Sequence, residues 1–165
     1  FTRLHLQGDA SVYTLILTLF SLGIAIGSIL CAKLSRGRLE LGLVLMGGAG
    51  MTVFGVDLYF SVQSLTPTHH LLSLSEFLNQ AQHWRSLLDF LGIGIAGGFF
   101  TVPLYTWLQT ASPEDFRAQA IAANNIINGL YMVVSAALSM ALLALTHSIA
   151  LLLLCISLAN LLAVP

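Results

Sequence analysis

The chain has 165 residues, of which 57% are hydrophobic and only 8% charged, with a mean hydropathy of +0.90 and a formal net charge of −1. A soluble domain carries roughly 25% charged residues and needs a wet surface at any size, so lipid is the expected solvent for much of this chain. The near-zero net charge argues against a nucleic-acid binder, which would show a basic face.

Five apolar stretches are expected as membrane-spanning helices, at about residues 11–32, 41–62, 87–109, 118–145 and 148–165. A helix rises ~1.5 Å per residue, so about 20 residues cross a ~30 Å hydrocarbon core. The first four stretches meet that length; the fifth is marginal. Helices are required because lipid offers no partner for open backbone groups, and no ten-residue alternation of the barrel kind recurs. Residues 2–10 are polar, and the apolar run that follows them is too long for a signal peptide. A chain that opens on Phe1 without methionine and stops at Pro165 inside an apolar run is expected to be a piece of a longer protein.

The first span carries Gly23 and Gly27, four residues apart, and Cys31. Cys31 and Cys155 lie in apolar runs without metal-ligand spacing and read as small hydrophobes. The following loop, residues 33–40, holds Lys33, Arg36 and Arg38, half of the six basic residues. Positive-inside bias places it in the cytoplasm and residues 63–86 outside, so that the chain enters from the external side. The second span contains Gly47, Gly48, Gly50, Gly55 and Asp57.

In the external loop, Ser73-Leu74-Ser75-Glu76 matches a capping box. Phe77, Leu78, Ala81 and Trp84 then recur at helical spacing, which predicts a short interfacial helix over residues 74–86 with Trp84 and Arg85 at headgroup level. A polar loop with scattered apolar residues is the plainer alternative. His69-His70 lacks further ligands and reads as a solvated pair, so no metal site is expected.

The third span has Gly92, Gly94, Gly97 and Gly98, followed by Pro103. Gly94 and Gly98 share a face that lets another helix approach closely, and Pro103 removes an amide and is expected to bend the cytoplasmic half. Static packing and a helix that flexes during transport are both open readings. Asp57 and Asp89 lie toward the external ends of their spans, as candidates for ion coupling or as acids near water, with Arg85 the partner in reach of Asp89. Intramembrane polar groups are costly and mark sites. The fourth span carries Asn124, Asn125 and Asn128, then Ser135 and Ser139. Asn124 and Asn128 share one face, as a lining for a cavity or as hydrogen bonds between helices.

Enzyme signatures are lacking: there is no GxxxxGK[ST], HExxH or GxSxG. His5 to Asp9 and His83 to Asp89 each miss the His-x4-Asp spacing of a membrane acyltransferase by one residue. No catalytic residues and no cofactor are expected.

Beyond composition, Lys33-Leu34-Ser35-Arg36-Gly37-Arg38 after a Gly-x-x-x-Gly helix resembles the second copy of the major facilitator superfamily's Gly-x-x-x-Asp-Arg-x-Gly-Arg signature, with no acid at the Asp place. Thr18-Leu19-Phe20-Ser21-Leu22-Gly23-Ile24-Ala25-Ile26-Gly27-Ser28 and Gly97-Gly98-Phe99-Phe100-Thr101-Val102-Pro103-Leu104-Tyr105, with Gln109 and Ala122-Ala123-Asn124-Asn125-Ile126-Ile127-Asn128, resemble its lysophospholipid transporter branch. In particular they are similar to the bacterial proteins that fuse such a transporter to an acyltransferase and an acyl-carrier ligase. The resemblance covers nearly the whole chain. It implies an all-α polytopic bundle equivalent to helices eight to twelve of twelve, in the bacterial inner membrane, whose N-terminal half is missing here.

On that resemblance the parent moves lysophospholipids by alternating access. Asn124, Asn125, Asn128 and Ser135 are then candidates for the substrate pathway, and Gly94, Gly98 and Pro103 for hinge or packing. Lys33, Arg36 and Arg38 are candidates for the cytoplasmic gate, and Asp57 and Asp89 for ion coupling. A membrane anchor for a fused acyltransferase, or an exporter of small solutes or drugs from the same superfamily, are the alternatives.

Overall fold

The computed structural model describes residues 2, 6–35, 40–65 and 71–163. Arg36, Arg38, His5, His69 and His70 lie outside them. The chain is all-α: α1 (Ala10–Ser35), α2 (Leu41–Gln63), α3 (Leu74–Asn79), α4 (Ala81–Ala111), a 3-10 turn (Glu114–Phe116), α5 (Arg117–Thr146) and α6 (Ile149–Ala163). Four of these helices, α1, α2, α4 and α5, are long and apolar enough to cross a membrane, while α6 is shorter.

The architecture is built around α4, which packs on α1 along one side and on α2 along another, while α6 packs on α2. Glycine sets the α1–α4 crossing. α1 buries Val12, Ile16, Gly23, Gly27 and Cys31, a single stripe at helical spacing. A Cβ on Gly23 would strike the Leu91 carbonyl and the Gly94 Cα; one on Gly27 would strike the Ile95 backbone. From the other side, a Cβ on Gly98 would meet Ser28 N and Gly27 C. Both helices therefore shed their side chains at the contact, and the backbones touch, as small-residue pairs allow in lipid, where dispersion replaces the hydrophobic effect. Gly47 of α2 makes the same kind of approach to Ala96 and Phe100 of α4.

One end of the bundle is closed by a strap. Leu72 N donates to the Gln7 carbonyl at 2.6 Å and Asp9 N to the Leu72 carbonyl at 3.1 Å, which ties the start of α1 to the segment before α3. Beneath it Leu6, Val12, Ile16, Leu58, Val62, Leu72, Phe77 and Leu87 form the larger apolar cluster. The positive-inside reading puts this end outside. Asp9 caps α1: its Oδ1 accepts from Ser11 N at 2.9 Å and Val12 N at 3.1 Å. The Ser11 hydroxyl and those amides hold its carboxyl below the usual range.

The segment expected as one interfacial helix over 74–86 is divided. Ser73 and Glu76 form the capping box and start α3, but α3 stops at Asn79; Gln80 is extended (φ −95°, ψ 112°) and α4 begins at Ala81. The spanning helix thus starts six residues before the apolar run. Polarity concealed this start, because Ser86 and His83 are buried rather than exposed. Ser86 Oγ lies 2.7 Å from Ser61 Oγ of α2, and His83 stacks on Phe77 with ring centroids 4.0 Å apart. Trp84 remains half exposed and donates to the Leu78 carbonyl at 3.0 Å.

At the far end of the chain, His147 turns α5 into α6 in a left-handed conformation (φ 50°) with its amide on the Leu143 carbonyl. α6 is fixed to α2 by Asn160, whose Nδ2 donates to the Gly48 carbonyl at 2.7 Å and to Thr52 Oγ1 at 3.0 Å. Where Ser157 rests on Gly55, a Cβ on the glycine would collide with it.

Candidate functional site: a groove beside the hub helix and an acid pair above it

α5 is unlike the other long helices. None of its residues is buried, and it meets the bundle at its two ends, against α4 and α6. Between the last turns of α4 and the first of α5 lies a groove of about 480 Å³ lined by Phe100, Thr101, Leu104, Tyr105, Trp107, Leu108, Asn124 and Asn128. Two long apolar helices that do not close on each other leave an amphiphilic cleft. Its walls are aromatic and aliphatic, and its polar side-chain groups are two amides, a phenol, a hydroxyl and the Trp107 indole N–H. Asn124 Nδ2 reaches Tyr105 Oη at 3.5 Å, the one direct hydrogen bond across the cleft among the described residues.

The four pathway candidates separate here. Asn124 and Asn128, one turn apart, line the groove. Asn125 points away from it and is exposed, and Ser135 is exposed further along α5 with its hydroxyl on the Met132 carbonyl at 3.1 Å. The helical period of 100° sets Asn125 off the face of its neighbour Asn124, whereas Ser135, two turns past Asn128 and near its face, lies about 10 Å further along the axis, beyond the groove. Tyr105 and Trp107 were not singled out in sequence. Tyr105 lies two residues beyond Pro103 and one turn after Thr101, which is the available signal. Asn160 was likewise not singled out, although it is a lone amide in an apolar helix.

Gly94 and Gly98 sit in the α1 crossing, and Pro103 is buried within an α4 that continues to Ala111. Proline has no amide to donate, so the Phe99 carbonyl lacks its helical partner just beside the groove. Lys33, the described member of the basic loop, is exposed at the end of α1.

At the other end of α4, Asp57, Arg85 and Asp89 come together. Arg85 Nε donates to Asp57 Oδ2 at 3.0 Å and Nη2 donates to Oδ1, a bidentate pair across α2 and α4. This differs from the expected Arg85–Asp89 pairing along one helix. The guanidinium instead turns to α2, where it finds both oxygens of the Asp57 carboxylate. Asp89 is 3% exposed and its Oδ2 has no hydrogen-bond partner among the described residues. The described residues hold no group of three His, Cys, Asp or Glu side chains placed to bind a metal.

The chain matches no family model, no curated protein and no solved structure.

Proposed function

We propose that the chain is part of a facilitator-type transporter that moves lysophospholipids across the bacterial inner membrane by alternating access. The observation that carries this reading is the amphiphilic groove between α4 and α5. A lysophospholipid has one acyl chain and a polar headgroup. Phe100, Leu104, Trp107 and Leu108 suit the chain; Asn124, Asn128 and Tyr105 supply donors and acceptors for glycerol hydroxyl and phosphate. A hydrophilic solute would gain little from walls of this kind. In this reading the polar end of the groove opens toward the cytoplasm, where re-acylation takes place, and Lys33 with Arg36 and Arg38 attracts anionic headgroups.

The test is lysophospholipid movement in vesicles containing the intact protein. Asn128 is exposed, so Asn128→Ala leaves folding unchanged. With one hydrogen bond worth ~1 kcal/mol net, it slows transport about fivefold. An unchanged rate removes the asparagines from the route. Transport of hydrophilic solutes in preference to lysolipid would favour a small-solute or drug exporter. Lack of any transport by folded, intact protein would favour an anchor for a fused acyltransferase.

A further inference from the structure

The chain has two tryptophans, Trp84 and Trp107, and both are on α4. They are 23 residues apart, about 35 Å along a helix at ~1.5 Å per residue. A tilt of ~20° brings that to about 32 Å across the bilayer. Both values fall between the ~30 Å hydrocarbon core and the ~40–45 Å that includes the headgroups. Both indoles are half exposed, and an indole settles where its ring meets hydrocarbon and its N–H meets polar groups.

The packing contacts carry those two levels to the other helices. Gly23 and Gly27 of α1 lie against Gly94 and Gly98, so α1 runs parallel to α4 and its exposed Tyr13 falls level with Trp84. Ser61 of α2 bonds Ser86 and Gly47 lies against Phe100, so α2 runs antiparallel, with the exposed Phe60 about a turn from the same level. Asn160 on Gly48 and Ser157 on Gly55 set α6 antiparallel to α2, which brings the α5–α6 turn at His147 to that end as well. At the other end α1 stops at Ser35, α2 starts at Leu41 and α5 starts at Arg117, all within two turns of the Trp107 level. Among the described charged residues, Asp57 and Asp89 alone lie more than a turn inside the two levels, the first paired with Arg85 and the second buried.

The groove straddles the second level. Tyr105 and Asn124, 3.5 Å apart, lie about 3 Å along α4 from Trp107, at the headgroup end of the groove. Phe100 lies about 10 Å inward of Trp107, at the depth of acyl chains. A lipid in the leaflet has its parts at these depths already: phosphate and glycerol beside the phenol and amide, and its chain beside Phe100 and Leu104. A water-borne solute would have to shed its hydration to reach the inner part.

We infer that Trp84 and Trp107 mark the two faces of the bilayer on this chain, and that the groove is filled sideways by a lipid of the leaflet that Trp107 marks. That leaflet is the one at the Lys33 end of α1. As a station for a transported lysolipid, the groove rests on the function proposed above; the bilayer boundaries and the lipid site do not.

Depth-dependent fluorescence quenching of the intact protein in phosphatidylethanolamine–phosphatidylglycerol vesicles tests both parts. The lipids carry bromines either near the headgroup or near the chain end, and each tryptophan is read as the signal lost in Trp84→Phe or Trp107→Phe. Both are expected to be quenched more strongly by the shallow bromines. Val53→Trp, at an exposed position of α2 between the levels of Phe100 and Ser86, is expected to reverse that order. Stronger quenching of either native tryptophan by the deep bromines, or quenching by neither lipid, overturns the boundaries. For the groove, lysophosphatidylethanolamine with a brominated chain is titrated into vesicles of unbrominated lipid. Trp107 is expected to be quenched saturably and about fivefold more steeply than Trp84, the factor that one net hydrogen bond supplies, and Asn124→Ala to remove the difference. Equal, proportional quenching of both tryptophans, or a saturable phase that survives in folded Asn124→Ala, overturns the filling of the groove from the leaflet. Saturable quenching of Trp107 in a protein that moves no lysolipid refutes the transporter and leaves the lipid site standing.

Discussion

α4 and α5 are nearly equal in length, at 31 and 30 residues, and both are apolar enough to cross a bilayer. α4 buries ten residues and α5 none. Hydropathy does not separate them. The arrangement of small residues does: α4 sets Gly94 and Gly98 against Gly23 and Gly27, so backbones meet and dispersion contacts accumulate on both sides. α5 has one glycine, Gly129, and a Cβ there would have nothing within 4 Å. In lipid, where apolar side chains are equally content against acyl tails, an apolar helix finds a neighbour by shape. α4 is thus the fixed element and α5 the open one, and the groove lies between them.

The sharpest way to break that contrast is to give both helices the same bulky residue. Gly98→Leu drives a side chain into the α1 backbone and is expected to cost about 3 kcal/mol, the upper range for overpacking, because backbone atoms cannot step aside. Gly129→Leu should change stability by no more than about 0.5 kcal/mol. Thermal unfolding in detergent measures both, and equal effects would mean that the close crossing is not what holds α4.

A smaller effect is expected for Asn160→Leu in α6. It removes the bonds to the Gly48 carbonyl and Thr52 Oγ1, which at ~0.6 kcal/mol each amounts to about 1 kcal/mol by the same measurement. A loss near zero would show that α6 is held by Ser157 on Gly55 and apolar contact alone.

The smallest concerns the exposed cap of α1. The Asp9 carboxyl is held below its ordinary value, so its contribution is complete above about pH 4 and disappears as pH falls through the lowered folded value. Asp9→Ala should lower the melting temperature slightly at neutral pH. The difference from wild type should vanish in strong acid; a difference independent of pH would assign the cap to packing instead.

Much of the candidate site was legible, for identifiable reasons. The cost of polar groups in lipid singled out Asn124 and Asn128, and spacing alone put them on one face. The same spacing could have set Asn125 aside. Ser73 and Glu76 announced the start of α3, because a capping box is local. The start of α4 at Ala81 was hidden, since Gln82, His83, Arg85 and Ser86 look like loop residues until Ser61, Asp57 and Phe77 are seen to receive three of them. Tyr105 and Asn160 were silent because their partners, Asn124 and Gly48, are 19 and 112 residues away in the chain.

By itself, then, the sequence determined the solvent and the helices: backbone groups must be satisfied within each segment, and twenty apolar residues suffice to do it. Tertiary structure decided what no single segment encodes. It made α4 the hub and left α5 uncovered, and it turned Arg85 toward Asp57 and sealed Asp89 beside them. Those choices depend on which faces meet at close range, and hydrogen bonding and packing act only over a few ångströms between residues the chain order keeps apart.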